Sequence, residues 1–274
     1  MATLVVLAMS GCTGGSADPV DDLEALPSTT AEPGPGEPGF HNDFPVRDID
    51  YDIYVPGRYT TGTALPAVLV LHGMPSNAHR ARGDSGMDML AEEEGFLAVY
   101  PSNPAEHWSA DPDDDADLDM LRTIIEDLTT TWNADPDRIL VTGISNGADM
   151  AMVTGVALSD LVAGVGAVVP ASTGEVARAV DRIDTPMPLV ALVGGLDPRH
   201  DSGLDLLAAW QEGMGCEEGG TETGAEADVT HYDCPDNTPM TVHDVRNGAH
   251  EWFGSADDPD GLWASRVLWE FLTA

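Results

Sequence analysis

The chain has 274 residues, of which 11 are basic and 48 acidic, for a formal net charge of −37. All the basic residues are arginine. So acidic a surface repels phosphates and anionic headgroups, which excludes a nucleic-acid partner and a membrane gripped by charge. The acidity reads as solubility in an ion-rich setting. A 42% hydrophobic content and this length suit one sizeable core better than two.

Residues 2–9 form a short apolar run, too short to span a bilayer, with the look of a signal-peptide core. It ends in Met9-Ser10-Gly11-Cys12, which resembles the lipobox of bacterial lipoproteins. That resemblance implies cleavage and lipidation at Cys12. Residues 13–45 are rich in Gly, Pro and acidic side chains, and Ala31–Gly39 makes neither a helix nor a central strand. They read as a flexible tether. The expected organisation is therefore a leader over 1–12, a linker over 13–45 and a catalytic domain over 46–274.

Within that domain Asp50–Val55 alternates like a strand and stops at Pro56-Gly57. Ala67–Leu71, Phe96–Tyr100, Arg138–Thr142, Ala163–Val169 and Leu189–Val193 are unbroken apolar runs, the pattern of strands buried on both faces. Helical stretches separate them at 84–94, 118–132, 148–158 and 204–212, and Trp263–Leu272 closes the chain. Strands alternating with helices predict an α/β fold, a mostly parallel sheet covered on both faces, with the strands before residue 66 antiparallel at an edge. Function in such a sheet gathers at the carboxyl ends of the strands.

The motif Gly143-Ile144-Ser145-Asn146-Gly147 directly follows one buried strand and directly opens a helix. That context turns G-x-S-x-G into a nucleophile elbow, with Ser145 Oγ projecting above the sheet. A serine needs a base, and in this arrangement the partners follow in the order Ser, acid, His. The acid belongs after a later strand. Asp197 follows Leu189–Val193, and Asp201 competes with it. The base belongs in the loop after strand 241–246, which makes His250 the candidate; His243 lies inside that strand and His231 in the segment between the late cysteines. Two backbone amides, of Met74 and Asn146, are expected to form the oxyanion hole. Pro75 has no N–H to give.

The segments Leu69–Gly73, Gly95–Pro101, Asp117–Leu128, Asp135–Gly147, Gly215-Cys216, Cys234-Pro235 and Gly248–Trp252 together resemble the esterases grouped with polyhydroxybutyrate depolymerases and with feruloyl and acetylxylan esterases. The resemblance runs from about residue 46 to the end. It implies an α/β-hydrolase fold without a large lid domain, a Ser145–His250–Asp197 triad, a Cys216–Cys234 disulfide, and no cofactor or metal. It also implies a secreted or surface-anchored monomer acting on a plant cell-wall ester, a polyhydroxyalkanoate or another polyester, with the membrane reached only through Cys12. Such a bridge contributes about 3 kcal/mol by loop closure. His72, Trp108 and Trp252 are expected to line the substrate site, with packing under a loop as the other reading of Trp108. The chain departs from the family at Val193, where a histidine is usual, at Ala148, where a second glycine is common, and at Glu251, where threonine is frequent.

Other readings compete. Asp115, Asp117, Asp119 and Glu126 have the spacing of an EF-hand loop, but Met120 stands where that loop needs glycine, and the bland reading is a solvated acidic turn with an Asp helix cap. A non-catalytic binding protein on a hydrolase scaffold and a prolyl oligopeptidase-type peptidase are the functional rivals. The intact Ser–Asp–His order weighs against the first, and the lack of a propeller-sized segment ahead of the domain against the second.

Overall fold

A computed structural model describes residues 36–171, 174–258 and 261–274. The leader, Cys12 and most of the expected linker lie outside the described residues. The sheet already begins at Gly39, so the domain start set at residue 46 is corrected toward the N-terminus. The Pro/Gly composition of 31–39 hid this, because β1 (Gly39–Val46) follows it at once and pairs only along the sheet edge.

Among the described residues ten strands form one sheet. They are β1, β2 (Ile49–Val55), β3 (Leu65–Leu71), β4 (Leu97–Pro101), β5 (Ala134–Ile144), β6 (Gly164–Val168), β7 (Leu189–Gly194), β8 (Glu217–Thr223), β9 (Ala227–Asp233) and β10 (Pro239–Val245). Their spatial order is β1-β2-β4-β3-β5-β6-β7-β10-β9-β8. The six from β4 to β10 run parallel, while β1 and β2 at one edge and β9 and β8 at the other are antiparallel. β3, β4, β6 and β7 are buried along their whole length, which is why they read as continuous apolar runs.

The helices are α1 (Ala78–Ser85), α2 (Met87–Glu94), α3 (Asp115–Thr131), α4 (Asn146–Ala157), α5 (Gly174–Val180), α6 (His200–Gly213) and α7 (Ala264–Leu272). The apolar faces of α3 to α6 fill one side of the sheet, and those of α1, α2 and α7 fill the other. The helix expected over 84–94 is α2, which starts at Met87, and α1 ahead of it is unexpected. Gly86 takes a left-handed conformation (φ 60°), capping α1 and turning the chain into α2. The acidic stretch from Asp115 is helix α3. Asp114 caps it by accepting from the Ala116 N–H at 3.2 Å.

The segment between the late cysteines is a hairpin. β8 is exposed along its full length, and its Gly-Glu composition gave no apolar alternation to read. The Cys216–Cys234 disulfide ties the hairpin at its open end, beside the Glu217–Asp233 pair.

Chain order sets where the sheet opens. From β3 the chain moves to β4 on one side, then returns to β5 on the other. This reversal leaves a crevice outside the carboxyl ends of β3 and β5, where open α/β sheets bind ligands.

Burial, with His231 adding to it, holds the His243 imidazole on β10 down to about 4. An unfolded histidine titrates near 6.5, so between these values the unfolded chain binds a proton that the folded chain refuses. The contribution is intact above pH 6.5 and is lost as pH falls toward 4. His243→Gln should flatten this limb of the stability–pH curve by on the order of 2 kcal/mol, allowing for partial exposure, in urea melts at pH 7.5 and 4.5.

Candidate active site

β5 ends at Ile144, and α4 begins at Asn146. Ser145 makes the turn alone, at φ 56° and ψ −121°. A non-glycine residue there costs roughly 1–3 kcal/mol and persists only where its surroundings dictate it. Here they do. The Ser145 N–H donates to the Val168 carbonyl at 2.9 Å, and the Ser145 carbonyl accepts from the N–H groups of Ala148 and Asp149. A Cβ on Gly147 would stand 2.4 Å from the carbonyl oxygens of Leu71 and His72, and one on Gly143 2.4 Å from the Gly147 oxygen. Both flanking glycines are thus required by backbone contact.

Ser145 Oγ lies 2.8 Å from His250 Nε2, and His250 Nδ1 lies 2.5 Å from Asp197 Oδ2. The three residues come from the ends of β5, β7 and β10. The Asp197 carboxyl is 3% exposed, and its other oxygen accepts from the Arg199 N–H at 2.9 Å. Asp201 is fully exposed and pairs with His200 instead, so the contact to His250 belongs to Asp197.

The acid loop and the histidine loop meet through their backbones. Gly195 N–H donates to Val245 O at 2.8 Å, and Leu196 N–H to Gly248 O at 2.9 Å. A Cβ on Gly194 would stand 2.6 Å from the oxygens of both Gly248 and Ala249. The reading from sequence missed this docking. Its signal was the Gly194-Gly195 pair itself, whose neighbour Val193 drew attention as a departure.

Two amides, in the loop after β3 and at the start of α4, have no acceptor among the described residues. Asn146 is the first residue of α4, so no turn of that helix satisfies its N–H. Met74, in the loop after β3, has no hydrogen-bonded amide among the described residues. Gly73 backs directly onto Ser145: a Cβ there would meet Ser145 Cβ at 3.6 Å.

His72, Trp108 and Trp252 are not at the cleft surface, which corrects their expected substrate-lining role. All three are buried. Asn103 N–H donates to His72 Nε2 at 3.4 Å, which leaves the ring proton on Nδ1 to donate to Gly73 O at 2.8 Å. Burial lowers the His72 pKa, in keeping with a neutral ring. The Trp108 indole N–H donates to His72 O at 2.9 Å. Trp108 N–H donates to Asn146 Oδ1 at 2.7 Å, and Asn146 Nδ2 donates back to Trp108 O at 3.0 Å. The Asn146 side chain therefore ties the residue after Ser145 to the loop that carries Trp108. Trp252 donates to Ser265 Oγ at 3.1 Å, and Ser265 in turn donates to Ser85 O at 2.7 Å, pinning the histidine loop to α7 and α1. Aromatic residues beside a catalytic motif read as substrate contacts in sequence; their indole N–H groups are spent on structure.

The crevice over Ser145 is an open cleft of about 490 Å³. Gly73, Met74, Ser145 and His250 floor it, and Ser76, Asn77, Arg80 and Asp84 form its polar side. Three large apolar side chains stand well exposed among the described residues, and two are next to the triad: Met74 in the cleft and Leu196 before Asp197.

The architecture superposes on an acetyl xylan esterase from Aspergillus awamori with a TM-score of 0.61 at 17% identity, over 74% of this chain and 89% of that one. The fold is that of an α/β hydrolase. In sequence the chain is 32% identical over 173 residues to a Nocardia uniformis subsp. tsuyamanensis protein named as an esterase, NocK, covering 59% of this chain and 49% of that protein. It is 30% identical over 119 residues to acetylxylan esterase A of Aspergillus oryzae, covering 40% of this chain and 38% of that enzyme. These matches span less than half the length of either relative. No family model matches the chain.

Gly194→Ala should force the acid and histidine loops apart. We expect a loss of about 1–3 kcal/mol in stability, from the clash with two carbonyls, read as a lowered melting temperature.

Proposed function

We propose that the chain is a serine esterase that hydrolyses carboxylic esters through an acyl-enzyme. One observation carries this reading: the unbroken hydrogen-bonded run from Ser145 Oγ through His250 to the buried carboxyl of Asp197. His250 Nε2 takes the Ser145 proton as Oγ attacks the ester carbonyl. Asp197 fixes the imidazole with Nδ1 protonated and stabilises the imidazolium. The free amides of Met74 and Asn146 receive the negative charge that develops on the carbonyl oxygen, aided by the N-terminus of α4. His250 returns the proton to the departing alcohol, then activates the water that releases the acid.

The open cleft suits an ester carried on a large or polymeric body, as in acetylated or feruloylated polysaccharide or a polyester such as a polyhydroxyalkanoate. Met74, exposed beside the nucleophile, offers an apolar contact to the acyl group. We place the activity outside the cytoplasm: the Cys216–Cys234 disulfide favours an oxidising compartment, and the lipobox-like Cys12 would tether a monomeric enzyme to the cell surface. No helix among the described residues is long and apolar enough to cross a membrane.

Ser145→Ala should lower kcat on short p-nitrophenyl esters by about 10⁴-fold or more, with the melting temperature kept. Turnover within tenfold of wild type would remove Ser145 from the reaction. Asp197→Asn should cost about 10⁴-fold by favouring the wrong His250 tautomer. Full activity in that variant, read in the same assay, would remove Asp197 from the triad.

A further inference from the structure

The cleft has one polar side, which the triad does not use. Among the described residues, Arg80 and Asp84 are its only charged lining residues apart from the titratable His250. They sit one helical turn apart on α1, and Arg80 Nε donates to Asp84 Oδ2 at 2.7 Å. The opposite side of α1 is anchored through buried Ala78, Ala81 and Ser85, so the pair is presented on a fixed support. The Arg80 side chain is 72% exposed, and its remaining guanidinium N–H groups have no protein acceptor among the described residues. One oxygen of Asp84 is likewise free of protein donors among the described residues.

We propose that Arg80 and Asp84 form the specificity-determining pair of the cleft, binding neighbouring hydroxyls of a neutral polyol or sugar that bears the ester. This rests on the esterase reading and says which kind of ester the site selects. The pair supplies what two adjacent hydroxyls need: guanidinium N–H groups that donate to a hydroxyl oxygen, and a carboxylate oxygen that accepts a hydroxyl proton. Asn77 adds polarity on the same side; its side-chain oxygen accepts from the Arg80 N–H at 3.0 Å, which leaves its NH₂ free to donate. A carboxylate-bearing substrate fits less well. Asp84 already sits against the guanidinium, so a second carboxylate would meet a like charge, and the net charge of −37 opposes the approach of any anion. A polyester has ester oxygens but no hydroxyls along its chain, so Asp84 would receive no proton.

The alternative is an ordinary exposed i,i+4 helix pair with no part in recognition. The experiment compares kcat/KM on an acetylated neutral xylo-oligosaccharide with kcat/KM on p-nitrophenyl acetate, which has no polyol. Arg80→Leu and Asp84→Asn are each measured against wild type. The pair recognises hydroxyls if the sugar-to-phenyl ratio falls about tenfold in both variants, mainly through KM, and if the sugar KM is insensitive to salt up to about 0.5 M. An unchanged ratio, even with a shifted melting temperature, overturns the proposal and leaves a helix pair. A ratio that falls only for a uronate-bearing ester, with the effect erased by salt, overturns it in favour of anion binding. If wild type cleaves neither substrate, it is the esterase reading itself that fails, so the two failures are told apart.

Discussion

Backbone lies against backbone, with no side chain between, where β3, β5 and α4 converge. The carbonyls of Leu71 and His72 fill the place of a Gly147 Cβ, and Gly147's own carbonyl fills the place of a Gly143 Cβ. This contact sets the distance between the loop after β3, which carries Met74, and the turn that carries Ser145 and Asn146. It also compels the positive φ of Ser145. Val169, at the end of the neighbouring β6, shares the condition at φ 42°, a conformation that a β-branched residue rarely adopts. Two strained residues on adjacent strand ends, both held by ladder-like hydrogen bonds to the next strand, mark where the fold spends stability on geometry.

The other half of the site uses the same device. Gly194 and Gly195 let the end of β7 touch the histidine loop, and Gly248 accommodates the Phe253 ring. Phe253 and Trp252 then bury that loop against α7. Nothing in this scheme asks an aromatic side chain to face the cleft. The indoles of Trp108 and Trp252 instead tie each loop to the segment behind it, so both loops are held in place by hydrogen bonds of the folded chain itself. Preorganisation of this sort is what lets fixed dipoles act on a developing charge without rearranging.

Much of this was legible in the chain because burial on two faces leaves an unmistakable trace. The runs at 67–71, 96–100, 138–142 and 189–193 could be read as central strands, and their order placed Ser145, Asp197 and His250 at strand ends. The edges were not legible. β1 follows a Pro/Gly segment, and β8 exposes every residue, so neither shows an apolar period. α1 was not legible either, because the residues it buries are only Ala78, Ala81 and Ser85, which leave no strong apolar period. The roles of Trp108 and Trp252 were misread for a different reason. Whether an indole lines a cleft or braces a loop depends on which side of the loop it leaves, and sequence position is silent on that.

The acidity of the chain bears on its chemistry less than its size suggests. A net charge of −37 surrounds a site where the proposed reaction would form an oxyanion, and at first sight the field opposes it. Screening decides the matter. At physiological ionic strength the field of an exposed carboxylate dies within about 8 Å, whereas the amides of Met74 and Asn146 and the N-terminus of α4 act in contact. Within the cleft the one fixed negative charge, on Asp84, is matched by Arg80, and the Asp197 carboxyl is turned to His250 and shielded from solvent. Asp117 accepts from Asn103 Nδ2 and Ser109 N–H, so its carboxylate braces the loop that carries Trp108. Local dipoles would therefore govern such an oxyanion, and the exposed carboxylates act only on what comes within about 8 Å of them.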